Sequence, residues 1–372
     1  MRFLISVLTV AGATSVQADA PRVAVDIAPV HGLVSQVMEG VGSPDLIIPP
    51  GASPHGYAMR PSEARAVSQA AVVFWVGPDL TPWMADPLST LAEDAVQVTL
   101  IETPDLTLLP FRQGARFEQH DHGEDEHDHD KEHEDAHGKD EDHAHEEDHA
   151  HEEDHAHEDA HDHDEHSDEK HADAEHDHDK EHGHDEDHAH DDHGHDHSKE
   201  GAVDPHAWLN PENAMIWYTV IADQLSEIDP DNASTYRMNA TNAQKTLRET
   251  ADQIAKNLEA YQGQSFIVFH DSYHYFEARF GVEAAAAITL ADDSAASAAR
   301  LAEVREVVLE TGASCAFAEP LANRGLIEAV SDGAEIKVVT LDAVGVDIAL
   351  GTGYYTALLD QVADAMNACF SE

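Results

Sequence analysis

Outside one long central stretch, the apolar residues fall into short blocks that alternate with segments of helical period. Arg22–Ile27, Leu46–Ile48, Ala71–Val76 and Ala95–Ile101 are brief runs dominated by Val, Ile and Ala. They predict strands, with helices over Val30–Gly40 and Ser62–Ala70 between them. Short apolar strands separated by helices point to a mostly parallel sheet covered on both faces. Further on, Ile216, Val220, Ile221 and Leu225 recur at helical spacing within Glu212–Ile228, and Leu247, Ile254 and Leu258 within Ala233–Tyr261, with Pro230 between the two segments. Nearly fifty helical residues there would form a spine. A second alternating unit follows: strands at Ser265–Phe269, Ala285–Leu290, Cys315–Ala318 and Ile336–Thr340, and helices at Tyr273–Phe280, Ser294–Glu310 and Tyr354–Cys369. We therefore expect an α/β protein of two similar lobes with parallel sheets, joined by a helical spine. The cleft between them is the place for a ligand, since open α/β sheets bind outside the carboxyl ends of their strands.

The central stretch breaks this pattern. The 372-residue chain has 75 acidic residues, 20 basic residues and a net charge of −55. Residues 118–200 alone hold 38 acidic residues, 5 basic ones and 25 of the 30 histidines. With little apolar content beyond alanine, this tract cannot offset its chain entropy by burial and is expected to be a disordered loop. Within it, Asp142-His143-Ala144-His145-Glu146-Glu147 repeats with a period of six, placing His149, His151, His155 and His157 in further His-x-His pairs. Such pairs among carboxylates make shallow divalent-metal sites without a preorganised cage, and we expect His143, His145, His149, His151, His155 and His157 to be auxiliary ones. As a flexible coil the tract would span roughly 50 Å end to end. The overall charge excludes an unaided nucleic-acid binder, because phosphate backbones require Lys and Arg.

The first twenty residues have the order of a secretory signal: Arg2, an apolar run from Phe3 to Ala13, and Ala18-Asp19-Ala20 before Pro21. Export to a bacterial periplasm follows, with no direct membrane insertion, since no later segment is long and apolar enough to span a bilayer. In that oxidising compartment the two cysteines, Cys315 and Cys369, are expected to pair. The predicted organisation is then a signal peptide (1–20), an N-terminal lobe (21–116), the His-rich loop (117–200), the end of the N-terminal lobe with the linking helices (201–262) and a C-terminal lobe (263–372).

Five histidines lie outside the tract. His55 follows Gly51-Ala52-Ser53-Pro54, His206 follows Asp204-Pro205, and His270 ends a predicted strand. Each sits where proline or a strand end restricts the ring, and three imidazoles converging on one cleft would suit zinc, with a carboxylate or water in fourth place. His274, four residues after His270, is the rival ligand, and His31 is read as structural.

Taken together, Gly51-Ala52-Ser53-Pro54-His55, Arg60-Pro61-Ser62, Val76-Gly77-Pro78, His206-Ala207-Trp208-Leu209-Asn210-Pro211, Phe269-His270-Asp271-Ser272-Tyr273, Phe317-Ala318-Glu319-Pro320 and Thr340-Leu341-Asp342 resemble the zinc-uptake periplasmic substrate-binding proteins of ATP-binding-cassette importers, the metal-binding cluster A-I family. The resemblance implies two (β/α)4-type lobes around a buried Zn2+, no enzymatic activity, a monomer, and an inner-membrane ABC permease as partner. It places the three metal-ligating histidines on His55, His206 and His270. Some members carry a glutamate directly before the first of these, and here that residue is Pro54, so water, Glu319 or Asp342 is left for the fourth position or behind it. Manganese-binding relatives have a carboxylate where His270 stands, which favours zinc here. The other readings are a zinc buffer or storage protein, in which the tract alone holds metal, and a zinc hydrolase, for which no HExxH motif is present.

Overall fold

The computed structural model describes residues 20–117, 202–290, 296–320 and 322–371. The expected signal peptide up to Asp19 and the His-rich tract, with its six named auxiliary histidines, lie outside these residues.

The first sheet is built from β1 (Val23–Val25), β2 (Asp45–Leu46), β3 (Val72–Trp75) and β4 (Val96–Thr99), all parallel, in the order β2-β1-β3-β4. The inner strands β1 and β3 read VAV and VVFW and are buried throughout, as strands covered on both faces must be. The helices α1 (Ala28–Val37), α2 (Pro61–Gln69) and α3 (Ala85–Leu91) connect them.

Two helices follow the tract. α4 (Pro211–Ile228) opens with proline at its first position and with the Asn210 side chain accepting from the Glu212 N–H at 2.9 Å, a strong start signal. After a turn at Pro230–Asn232, α5 (Ala233–Leu258) runs for 26 residues, about 39 Å at 1.5 Å per residue. It buries Tyr236, Ala240, Ala243, Leu247, Ala251, Ile254 and Leu258, a single stripe. Gln244 of α5 donates to the Met215 carbonyl of α4 (2.7 Å), while Ser226 and Ala233 meet at the turn, so the pair is antiparallel.

The second sheet repeats the first. The strands β5 (Phe266–His270), β6 (Ala286–Thr289), β7 (Cys315–Ala318) and β8 (Lys337–Thr340) are parallel in the order β6-β5-β7-β8. The helices α6 (His274–Phe280), α7 (Ala298–Thr311), α8 (Arg324–Ser331) and α9 (Tyr354–Phe370) complete the lobe. Ser297 caps α7 by accepting from the Arg300 N–H at 3.1 Å, so this helix starts later than the expected Ser294. The Cys315–Cys369 disulfide ties β7 to α9, with Cα atoms 5.9 Å apart.

One hydrophobic core runs from β1 and β3 through α1, α4 and α5 to Phe266, Phe317 and α9. A second, smaller one fills the space between the far face of the second sheet and α7 and α8. Gly32 of α1 allows the close approach of α9, since a Cβ there would stand 2.9 Å from that of Tyr354. Among the described residues no helix is long and apolar enough to cross a membrane.

Residues 103–117 form a strap that leaves the first sheet and reaches the second before the tract begins. Pro110 bridges Val203 and Arg116 bridges Ala286, both antiparallel, and the Phe117 N–H donates to the Ala285 carbonyl at 2.9 Å. The strap's Ala115 is buried in the smaller core of the second lobe.

Candidate metal centre

His55 lies in the loop beyond β2. There the Ile48 N–H still follows the sheet, donating to the Asp26 carbonyl at 2.9 Å, and Gly51 then turns the chain at φ +84°. The Trp83 indole donates to the Pro54 carbonyl at 2.7 Å and packs against the Tyr57 ring, whose hydroxyl meets Glu63 at 2.8 Å. Both sides of His55 are thus pinned. His206 precedes a turn at Ala207–Leu209 that leads into α4. One oxygen of Asp204 accepts from the His206 backbone N–H (2.9 Å) and from its Nδ1 (2.7 Å). That contact holds the proton on Nδ1 and presents the Nε2 lone pair. His270 is the last residue of β5, 2% exposed, with Nδ1 3.5 Å from Glu319 Oε1.

The three histidines come together. One ring nitrogen from each lies within 4.8 Å of the other two, and the ring centroids are 5.1 Å apart for His206–His270, 5.9 Å for His55–His206 and 6.2 Å for His55–His270. Zinc–nitrogen bonds of about 2.0–2.1 Å in a tetrahedron place donors roughly 3.3 Å apart, so a shift of up to about 1.5 Å would complete the site. Among the described residues no other group of His, Cys, Asp or Glu meets this criterion. His206 and His270 line a cavity of about 200 Å³, together with Ser53, Pro54, Trp208, Glu319 and Val344 among others.

The remaining candidates are placed differently. Glu319 lies beside His270, its Oε1 also 3.5 Å from Ser272 Oγ. Asp342 lines the same cavity, but its carboxylate already accepts from Val344, Gly345 and Val346 N–H groups at 2.7–3.0 Å, which builds its own loop. His274 is not part of the triad. It sits on α6 with Nδ1 3.8 Å from Asp204 Oδ2, and its pKa is lowered by burial and by the nearby Arg112 charge. His31 is buried inside α1, with Ser35 Oγ 3.2 Å from its Nδ1, and burial lowers its pKa. Sequence reasoning assigned no role to Asp204 or Trp83. An acid two residues before a histidine, across a proline, was the available signal for the first; nothing in the sequence marks the second.

A family model described as "Zinc-uptake complex component A periplasmic" matches residues 23–369. The high-affinity zinc uptake system protein ZnuA of Brucella suis is 36% identical over 359 residues, covering 96% of this chain and 94% of the relative. That of Paracoccus denitrificans is 37% identical over 354 residues, covering 95% and 93%. A crystal structure of ZnuA superposes with a TM-score of 0.64 at 18% identity, covering 95% of this chain and all of the other. The periplasmic zinc-binding protein TroA of Treponema pallidum superposes with 0.64 at 14%, with the same coverage. On the strength of the match along nearly its whole described length, the chain belongs to the ZnuA family of periplasmic zinc-uptake components, which are binding proteins of transport systems and not enzymes.

Proposed function

We propose that this chain captures a zinc ion in the cleft with His55, His206 and His270 and delivers it to an ABC permease of the inner membrane. The observation that carries this is the meeting of three imidazoles, from segments 151 and 64 residues apart in the sequence, within 4.8 Å of one another. Neutral imidazole nitrogens favour zinc over manganese, which prefers oxygen donors. Water completes the tetrahedron, with Glu319 near enough to hold it or to replace it, while Asp342 shapes the wall. Capture exchanges the ion's water shell for imidazoles; Asp204, on Nδ1 of His206, offsets the charge from behind. The relatives' names and the family description support a periplasmic location and zinc as cargo. For the tract we propose a zinc scavenger or a sensor of zinc abundance, its His-x-His pairs acting as many weak sites.

Removing residues 118–200 tests this. One tight zinc per chain should remain, and His270→Ala in that background should abolish it. Loss of all binding on removal of the tract alone would leave a storage protein instead.

A further inference from the structure

The strap at residues 103–117 is tied down at every few residues. Asn213 of α4 accepts from the Thr107 N–H (2.9 Å) and donates to the Thr107 carbonyl (3.0 Å). The Leu109 N–H donates to the Tyr275 hydroxyl (3.0 Å), that hydroxyl donates to the Asp204 carbonyl (2.8 Å), and the Asp204 N–H returns to the Leu109 carbonyl (2.9 Å). Strap, α6 and the segment that carries His206 thereby close a ring of hydrogen bonds. Three residues on, Arg112 Nε lies 3.0 and 3.1 Å from the two carboxylate oxygens of Asp271, and its Nη2 donates to the same group. Its Nη1 donates to Glu277 Oε2 at 2.6 Å, and its guanidinium lies 3.9 Å over the Phe117 ring. The Asp271 and Glu277 side chains are 3% and 1% exposed, and Arg112 is 13% exposed.

Burying one cation against two carboxylates is costly unless the fork geometry is satisfied, and here it is. A plain connection between two sheets needs no such cluster. Its placement explains it: Asp271 directly follows His270, and Asp204 is the partner of His206. Asp204 orients the His206 ring directly, and Glu319 lies 3.5 Å from His270 Nδ1. Arg112 and Tyr275 hold the backbones on which those rings are mounted.

We propose that Arg112 and Tyr275 are positioning residues for metal capture, fixing the separation of His206 and His270 and thereby the affinity and coordination geometry of the cleft. This rests on the histidine triad being the metal site. It gives the strap a role that the triad alone does not: a single element registers ligands belonging to both lobes. Bond lengths tolerate little error, so a backbone shift that ordinary packing would absorb is read out as lost affinity.

The full chain is loaded with half an equivalent of Co2+, which fills the tightest site first, and the visible d–d absorption reports its coordination geometry. Zinc affinity at the same loading is read by chelator competition. Arg112→Met and Tyr275→Phe should both shift the cobalt spectrum. Arg112→Met should weaken zinc binding by about 10–100-fold, the range for groups that support metal ligands, and Tyr275→Phe should weaken it less. Arg112→Lys keeps the charge but not the fork and should recover only part of the loss. Arg305→Ala, which removes a surface pair with Asp332, should change nothing. If Arg112→Met and Tyr275→Phe match the parent while His270→Ala loses the signal, the triad stands and the strap is packing only. If His270→Ala also leaves the signal intact, the triad is not the first site and the proposal falls with it. Should Arg112→Met fail to fold, Tyr275→Phe, which removes a single hydroxyl, decides by the same spectrum.

Discussion

Asp204→Asn isolates the electrostatic support of one ligand with almost no change in shape. The carboxylate oxygen stands 2.7 Å from His206 Nδ1. A metal bonded to Nε2 on the far side of the ring would lie about 6–7 Å from that carboxylate. With an effective permittivity of about 20, a single negative charge attracts a dication at this distance by roughly 5 kcal/mol. That is an upper bound, because asparagine still accepts from Nδ1 through its carbonyl oxygen and the surroundings respond to the lost charge. Groups in this position change metal affinity by about 10–100-fold, or roughly 1.4–2.7 kcal/mol, and the same weakening is expected here. Chelator competition for the first zinc equivalent, in chains with and without residues 118–200, measures it. The unfolding midpoint should hold, since a charge with 1% of its residue exposed is removed and not created. A zinc affinity within threefold of the parent would mean that His206 does not bind through Nε2 with Asp204 behind it.

Asp26, wholly buried at the end of β1, has its pKa raised to about 7 by burial, against the pull of N–H donors from Val76 and Ile27. The protonated form is therefore the one the fold favours, and its contribution to stability should be full below about pH 4 and lost as pH rises towards 7. In Asp26→Asn that part of the pH slope, followed by chemical denaturation, should disappear, at a constant cost from the acceptor lost to one N–H. Replacing both Cys315 and Cys369 by Ala should lower stability by about 4 kcal/mol, given a closed loop of 54 residues; calorimetry of the oxidised parent and the double variant checks this. Gly32→Ala would drive a methyl group to 2.9 Å from the Tyr354 Cβ and 3.2 Å from the Tyr355 N, and should lower stability by about 1–3 kcal/mol by separating α1 from α9. Thermal unfolding at constant pH would report it.

Elements that bury a continuous stripe were legible from the sequence. The inner strands β1, β3, β5 and β7 are apolar at nearly every position, and the α5 stripe from Tyr236 to Leu258 repeats over about six turns. Two short helices escaped notice for the same reason in reverse. α3 buries only Leu88 and contains Pro87, and α8 buries only Ile327 and Val330, too few positions for a period to declare itself. The strap is a different case. It has no period because it is held by long-range partners, Asn213, Tyr275, Asp271 and Glu277, that lie 106 to 166 residues away. Nothing local in Thr107–Phe117 could show that these residues belong against the second sheet.

The same distinction divides the site. His55, His206 and His270 stood out because histidine is scarce outside the tract and because each follows a proline or ends a strand, both of them local signals. Their convergence is not local, since it needs two sheets to present the carboxyl ends of β2 and β5 to one cleft while the turn before α4 supplies the third ring. Asp342 shows the limit of arguing from residue type. As a carboxylate near the cleft it qualified as a ligand, yet three successive N–H groups of its own loop engage it. Displacing them to bind metal directly would strand the buried Gly345 N–H, at about 1–3 kcal/mol, and two half-buried donors beside it. Glu319 faces no such competition: its contacts at 3.5 Å, to His270 Nδ1 and Ser272 Oγ, are long and easily exchanged. The energetic difference between the two carboxylates therefore lies in which backbone groups each already serves, and on that basis the side of the cleft near Glu319 is the one able to adjust when an ion arrives.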